Sequence, residues 1–348
     1  MLSALTFVSV LAASAHAALT YKGADWSSTI VEENSGIKWS STSGTTTALE
    51  TLLADNGVNT VRQRLWTGTG DYDLAYNIKL GARAHAAGMG IYLDMHFSDT
   101  WADTGHQTLP SGWPTDMADL TYTLYNYTKS VCNEFAANSI PLSIVSIGNE
   151  ITNGLLWPTG VSSDMYNVAS LLHSAAWGIK DSNLATIPKI LIHTDNGWDW
   201  TTQEWFYSTI LSESILVSSD FDMIGLSYYP FYNSAATLSA LKTSMTNLAS
   251  TYGKELVIAE TDWPEQCTSP AYSFPSDASS IPFSAAGQTT WLEDVAAVVA
   301  GVSKGVGLFY WEPAWVDNAS LGSSCEDNCM FDYSGGKARS SLAAFKSI

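Results

Sequence analysis

Along the chain, short apolar runs alternate with longer stretches in which apolar residues recur every three to four positions. The short runs predict strands over 19–25, 58–65, 90–96, 142–148, 189–194, 221–228, 255–260 and 305–311. The longer stretches read as amphipathic helices. In TTTALETLLADNG, residues Ala48, Leu49, Leu52 and Leu53 share one face and Gly57 supplies the stop. LAYNIKLGARAHAAG repeats the pattern and ends at Gly88.

Strand, helix and strand at spacings of roughly thirty to fifty residues describe βαβ units, whose parallel strands need helical cover. Eight such units predict an α/β fold, a single-domain (β/α)8 TIM barrel, with an open doubly wound sheet as the alternative. Against the open sheet, no Gly-x-Gly-x-x-Gly follows the first strand. No linker or low-complexity tract divides the mature chain. The segments that follow strands are long and rich in Trp, Asp, Gly and Pro, as in FSDTWADTGHQTLPSGWPTD, whereas most connections preceding strands are brief. In a TIM barrel the decorated carboxyl face is the functional one.

The opening MLSALTFVSVLAASAHA has an apolar centre and a small-x-small ending, Ala15-His16-Ala17, which predicts a secretory signal over 1–17 and a catalytic domain over 18–348. Sequons at Asn126 and Asn318 agree with export and predict glycosylation there. Four cysteines, Cys132, Cys267, Cys325 and Cys329, permit three full pairings and show no zinc spacing. The formal net charge of −19 disfavours nucleic acid, anionic membranes and polyanionic substrates, so the expected partner is neutral. No run of about twenty apolar residues predicts a membrane span. Fourteen Trp and sixteen Tyr suit the apolar faces of sugars as well as a core.

The candidate chemistry centres on Ser-Ile-Gly-Asn-Glu at 146–150, where Asn149 and Glu150 follow an apolar strand. Glu260, in VIAETDWPE, ends strand seven. Two glutamates at one barrel face can flank an acetal, one giving a proton to the leaving oxygen and the other facing the sugar carbon. Like charges held close push one pKa up, which separates an acid from a nucleophile. On strand two Arg62 and Arg64 share a face, and on strand three Asp94 and His96 do. An arginine facing the cleft would keep a neighbouring carboxylate ionised. His85 and His173 fall in helical runs and read as surface or packing residues. No His-Glu-x-x-His occurs, and no metal or other cofactor is expected. Gly301-Val302-Ser303-Lys304-Gly305 fits the Gly-x-Ser-x-Gly formula, but its serine leaves a helix and enters a strand, the reverse of a nucleophile elbow.

GADWSS, TVRQRLW, YLDMHFSDTWAD, SIGNEI, GLLWP, SYYPFY, AETDWP and YWEPAW, in this order, resemble the fungal endo-β-1,4-galactanases of glycoside hydrolase family 53, in the clan A retaining hydrolases. The likeness runs from Ala18 nearly to the carboxyl terminus. It implies Glu150 as general acid then base, Glu260 as nucleophile, and Asn149 as a donor to the hydroxyl beside the reacting carbon. Arg62 and Tyr229 would contact Glu260, Trp311 would floor the subsite before the scissile bond, and Trp101, Asp99 and His96 would line the cleft. It also implies a Cys267–Cys325 disulfide, with Cys329 an alternative partner for Cys325 and Cys132 a buried thiol. Bacterial relatives place calcium in that region, and no calcium loop stands out in this sequence.

The reading is thus a secreted, extracellular, monomeric hydrolase that cuts β-1,4-galactan side chains of plant cell-wall pectin with retention. The alternatives are a clan A endo-glycanase on mannan, xylan or cellulose, or a sugar-binding barrel without catalysis. A structural wall protein would show repeats, and none occur.

Overall fold

The computed structural model describes residues 18–348, so the predicted leader over 1–17 lies outside the described residues. Eight strands form a closed barrel: β1 (Tyr21–Asp25), β2 (Thr60–Leu65), β3 (Gly90–Met95), β4 (Ile144–Ile147), β5 (Lys189–Thr194), β6 (Met223–Ser227), β7 (Glu255–Thr261) and β8 (Gly305–Tyr310). Each is parallel to the next, and β8 pairs back onto β1. All eight strands lie where the apolar runs predict them. Closure, rather than an open sheet, leaves no edge unpaired.

The covering helices are α1 (Thr29–Asn34), α2 (Leu49–Asp55), α3 (Leu74–Ala86), α4 (Met117–Ala137), α5 (Met165–Lys180), α6 (Trp200–Ser212), α7 (Leu238–Tyr252) and α8 (Ala285–Ala300). Aspartates start four of them: Asp73, Asp116, Asp164 and Asp199 each accept a backbone N–H of the first turn. Such caps are worth about 0.5–2 kcal/mol each, and they give part of the negative charge a structural task. Leu49, Leu52 and Leu53 of α2 are buried as their spacing predicts. Ala48 is instead the exposed residue before the helix, because α2 starts one position later. Gly57 and Gly88 both adopt positive φ just past their helices. Ser303 sits in the turn from α8 to β8, at the end of the barrel opposite the carboxyl face.

Inside the barrel a lower layer is apolar, with Tyr92, Ile144, Leu191, Met223, Val257 and Phe309 in mutual contact. The layer above it, towards the carboxyl ends, is polar: Arg62 and Arg64, Asp94, Ser146 and His193 are all at most 1% exposed. Period-two alternation produces this stacking, since Tyr92 and Asp94, Ile144 and Ser146, and Leu191 and His193 are each two residues apart. The chain thus builds a dry floor and raises charged groups onto it.

Two local irregularities aim the glutamates. On β7 the pairing slips by one residue against both neighbours: Leu226 faces Ile258 but Ser227 faces Glu260, and Leu308 faces Ile258 but Tyr310 faces Thr261. Val257 and Ala259 belong to the interior layer, whereas Leu256 and Ile258 pack towards the helices. Strict alternation would send Glu260 outwards with Ile258. The extra residue of this bulge turns Glu260 inwards and gives the outer face to Thr261, whose hydroxyl accepts a hydrogen bond from Trp291 of α8 at 2.9 Å. After β4, Gly148 at φ +117° and Glu150 at φ +49° break the strand, so that Asn149 and Glu150 are presented at the barrel mouth. A side chain at Gly148 would also meet Ile151, 2.6 Å from the added Cβ.

Gly23 of β1 shows how full the floor is. A Cβ there would lie 1.9 Å from the Phe309 ring, which already packs edge-on against Tyr92 at 5.1 Å. We expect Gly23→Ala to cost about 1–3 kcal/mol, the usual penalty for overpacking a core. The check is a lowered urea midpoint at unchanged slope; an unaltered midpoint would mean that the floor has room to yield.

Candidate active site

Glu150 and Glu260 line one cavity of about 460 Å³ at the carboxyl face of the barrel. Trp101 and Asp103 from the loop after β3, Tyr229 and Tyr232 after β6, and Trp311 after β8 form much of its wall. On the Glu150 side the lining is polar, with Thr104, Asp195 and Asn196. The volume and the mixture of aromatic walls with a few polar groups suit a small-molecule or sugar site.

Glu260 is the more completely held of the two. Arg62 Nη2 lies 2.8 Å from Glu260 Oε1, and the Tyr229 hydroxyl donates to Glu260 Oε2 at 2.7 Å. The same guanidinium reaches Asp25 Oδ2 at 2.6 Å, Asp94 Oδ2 at 2.8 Å and the Asn149 side-chain oxygen at 2.8 Å. One buried cation therefore serves three carboxylates from β1, β3 and β7. Burial works to raise the Asp94 pKa, but Arg62 and His96 outweigh it and hold that carboxyl at about 2. Burial also raises Glu260, while Arg62 and the Tyr229 hydroxyl pull it back towards ionisation.

Among the described residues no cation compensates Glu150 in the same way. Burial, the charge of Glu260 and the charge of Asp195 all push its pKa well above the ordinary range, with only a hydrogen bond to Ser227 acting against them. The two acids therefore part company for a structural reason. Glu260 owns a guanidinium and a phenol, and Glu150 does not.

The other expected residues take different places around this pair. Asn149 Nδ2 donates to the Ala102 carbonyl at 2.8 Å, which fixes the amide orientation and leaves a second N–H. Trp101 and Trp311 both line the cavity and meet edge-to-face at 5.8 Å. His96 and Asp99, expected to line the cleft, are not among its lining residues. His96 is a buried strut: Nδ1 accepts from Ala102 N at 3.0 Å and Trp66 Nε1 at 3.3 Å, leaving Nε2 to donate to Asp94 at 3.1 Å. Burial lowers its pKa, consistent with a neutral ring. Asp99 braces loops instead, accepting from Thr67 Oγ1 at 2.7 Å and Ser111 N at 2.8 Å.

Asp25, Asp195, Ser227 and Glu312 also join this assembly, although the sequence motifs assign no role to any of them. Strand parity could have found Asp25 and Ser227, which end β1 and β6 on the interior face. Asp195 and Glu312 follow their strands in loop conformations that alternation does not predict. Cys267 and Cys325 are joined in a disulfide that ties the loop after β7 to the loop after β8, while Cys132 and Cys329 are buried free thiols. Asn126 is exposed in the middle of α4, and Asn318 is half-buried in the loop after β8. Among the described residues no group of three or more His, Cys, Asp or Glu is placed to hold a metal ion, and no helix is long and apolar enough to cross a membrane.

Relatives share this architecture along nearly its whole length. The arabinogalactan endo-β-1,4-galactanase A of Aspergillus niger is 59% identical over 351 residues, covering 100% of this chain and 99% of that protein. A solved fungal β-1,4-galactanase superposes with a TM-score of 0.94 at 58% identity, over 95% of this chain and 100% of the other. The glycoside hydrolase family 53 catalytic domain of Ignisphaera aggregans gives a TM-score of 0.83 at 28% identity, over 94% of this chain and 96% of that one. The profile of Glycosyl hydrolase family 53 matches residues 21–345, and the chain belongs to that family.

Proposed function

We propose that the protein is a secreted endo-β-1,4-galactanase that cleaves galactan chains, including those of arabinogalactan, by double displacement through Glu260 and Glu150. The observation that carries this reading is the unequal support of two glutamates on one cavity, Glu260 held by Arg62 and Tyr229, and Glu150 by no cation among the described residues. The 59% identity to a galactanase over the full chain supports galactan as the substrate. The disulfide agrees with an oxidising, extracellular setting.

In the first step a Glu260 oxygen attacks the anomeric carbon as the bond to the leaving oxygen breaks, and Glu150 gives that oxygen its proton. The covalent glycosyl-enzyme ester now leaves Glu260 neutral and Glu150 charged. In the second step Glu150 takes a proton from water, the water oxygen bonds to the anomeric carbon, and the ester bond breaks to restore the Glu260 carboxylate. Two inversions at one carbon give net retention. Asn149, fixed by Arg62 and Ala102, offers its free N–H to the hydroxyl next to the reacting carbon. Trp311 and Trp101 offer faces and edges for the sugar ring.

Glu260→Ala should reduce galactan hydrolysis by at least about 10⁴-fold, since no nucleophile remains to form the ester. Release of reducing ends from β-1,4-galactan measures it, with mannan, xylan and cellulose as comparison polymers; near-normal rates would exclude the assignment. Glu150→Ala should lose about 10²–10⁴-fold on galactan but far less on aryl glycosides whose leaving groups need no proton. Equal losses on both substrates would remove Glu150 from the acid role.

The pH profile follows from the same asymmetry. Burial raises Glu260 above an ordinary glutamate, so kcat/KM climbs with pH as it ionises and falls at higher pH as Glu150 loses its proton. Tyr229 donates to the ionised form of Glu260. Tyr229→Phe should therefore move the acidic limb to higher pH and leave the alkaline limb in place, read from kcat/KM across the pH range. A fixed acidic limb would show that Glu260 does not set it.

A further inference from the structure

The second interior arginine touches neither reacting glutamate, yet it is as deeply buried as the first. Arg64 is 1% exposed, and its Nη1 lies 2.5 Å from Glu312 Oε1. Its Nη2 donates to Ser28 Oγ at 2.8 Å, and that hydroxyl in turn donates to Glu312 Oε1 at 2.7 Å. The Ser28 backbone N–H adds a further bond to the same oxygen at 3.0 Å. The result is a closed triangle of guanidinium, hydroxyl and carboxylate joining the ends of β1, β2 and β8.

What this triangle carries is aromatic. The Arg64 guanidinium carbon lies 5.4 Å from the ring centre of Trp101 and 4.9 Å from that of Trp315. Trp311 sits between them, edge-to-face with Trp101 at 5.8 Å and with Trp315 at 6.2 Å. Glu312 is the residue after Trp311 and takes φ +43°, a left-handed conformation that a non-glycine residue adopts only when its surroundings hold it. Arg64, whose nearest ring is Tyr72 at 4.3 Å, thus also contacts two of the three tryptophans and, through Glu312, fixes the backbone of the third. Trp101 and Trp311 are the two of the three that line the cavity.

The segment Asp25-Trp26-Ser27-Ser28 couples this assembly to the nucleophile. Asp25 binds Arg62 and accepts from the Ser27 hydroxyl at 2.6 Å; the Ser27 hydroxyl accepts the Arg64 backbone N–H at 2.9 Å. Two arginines, two residues apart on one strand, are therefore held from the same four-residue turn. One serves charge, and the other serves shape.

We propose that the Arg64–Ser28–Glu312 triangle is the positioning device for the tryptophan platform that receives the sugar chain, so that Arg64 governs binding of the galactan and not the ionisation of the reacting glutamates. This rests on the galactanase reading. Arg64→Lys keeps the charge but loses the fork that holds Ser28 and Glu312 together and the flat surface against the rings. In a Glu260→Ala background, the dissociation constant for β-1,4-galactotetraose, followed by tryptophan fluorescence, should rise roughly tenfold on adding Arg64→Lys, in keeping with the loss of cation–π and planar contacts. In the active enzyme KM should rise by a similar factor, kcat should change by less than about threefold, and both pH limbs should stay in place.

Ser28→Ala removes one shared hydroxyl and should act in the same direction by about threefold, so it decides the matter if Arg64→Lys does not fold. Loss of thermal stability with unchanged affinity in these variants would make the triangle a structural brace alone and overturn the proposal. A fall in kcat with a moved pH limb at constant KM would also overturn it, by placing Arg64 in the ionisation of the glutamates. Failure of the Glu260→Ala protein itself to bind galactotetraose would instead count against the galactanase reading.

Discussion

A single buried guanidinium sets the terms for the rest of this structure. Arg62 stands on a dry floor inside a closed barrel, within 2.8 Å of carboxylate oxygens from Asp25, Asp94 and Glu260. Taking one charge out of water costs several kcal/mol, and breaking a buried pair leaves an uncompensated ion. The arrangement persists because each group satisfies another: Asp94 also receives His96, Asp25 also receives Ser27, and Glu260 also receives Tyr229. Its chemical consequence is that Glu260, although raised by burial, ionises more readily than its neighbour Glu150.

The barrel makes this possible through layering. Apolar side chains fill the lower interior, so the dielectric around the polar layer is low and each ion pair is stronger than it would be in water. The outer face of the same strands packs against helices, while the interior polar groups are held by their own ion pairs and hydrogen bonds. Loops at the carboxyl face then add the aromatic walls, and the Cys267–Cys325 disulfide ties two of those loops together.

Much of this was legible in the chain because it rests on period-two alternation. The eight apolar runs match every strand, and parity puts Arg62 and Arg64 on one face and Asp94 and His96 on one face, which the structure turns inwards. The same rule misleads for Glu260, whose inward aim depends on a bulge that no apolar pattern marks. His96 and Asp99 show a related limit. Their types suit sugar binding, but whether a polar group meets a ligand or braces a loop depends on partners distant in sequence, such as Trp66 for His96 and Ser111 for Asp99. The loop residues Asp195 and Glu312 were missed because neither strand parity nor helix period reaches into irregular backbone.

The most direct test of the asymmetry between Glu150 and Glu260 is the order in which the two carboxyls lose their protons. Selective ¹³C labelling of glutamate side chains, with Glu150→Gln and Glu260→Gln variants for assignment, lets each be titrated by NMR in the ligand-free protein. Glu260 should ionise first as pH rises, with Glu150 following at clearly higher pH. Ionisation of Glu150 before Glu260 would contradict the roles that Arg62 and Tyr229 are held to impose.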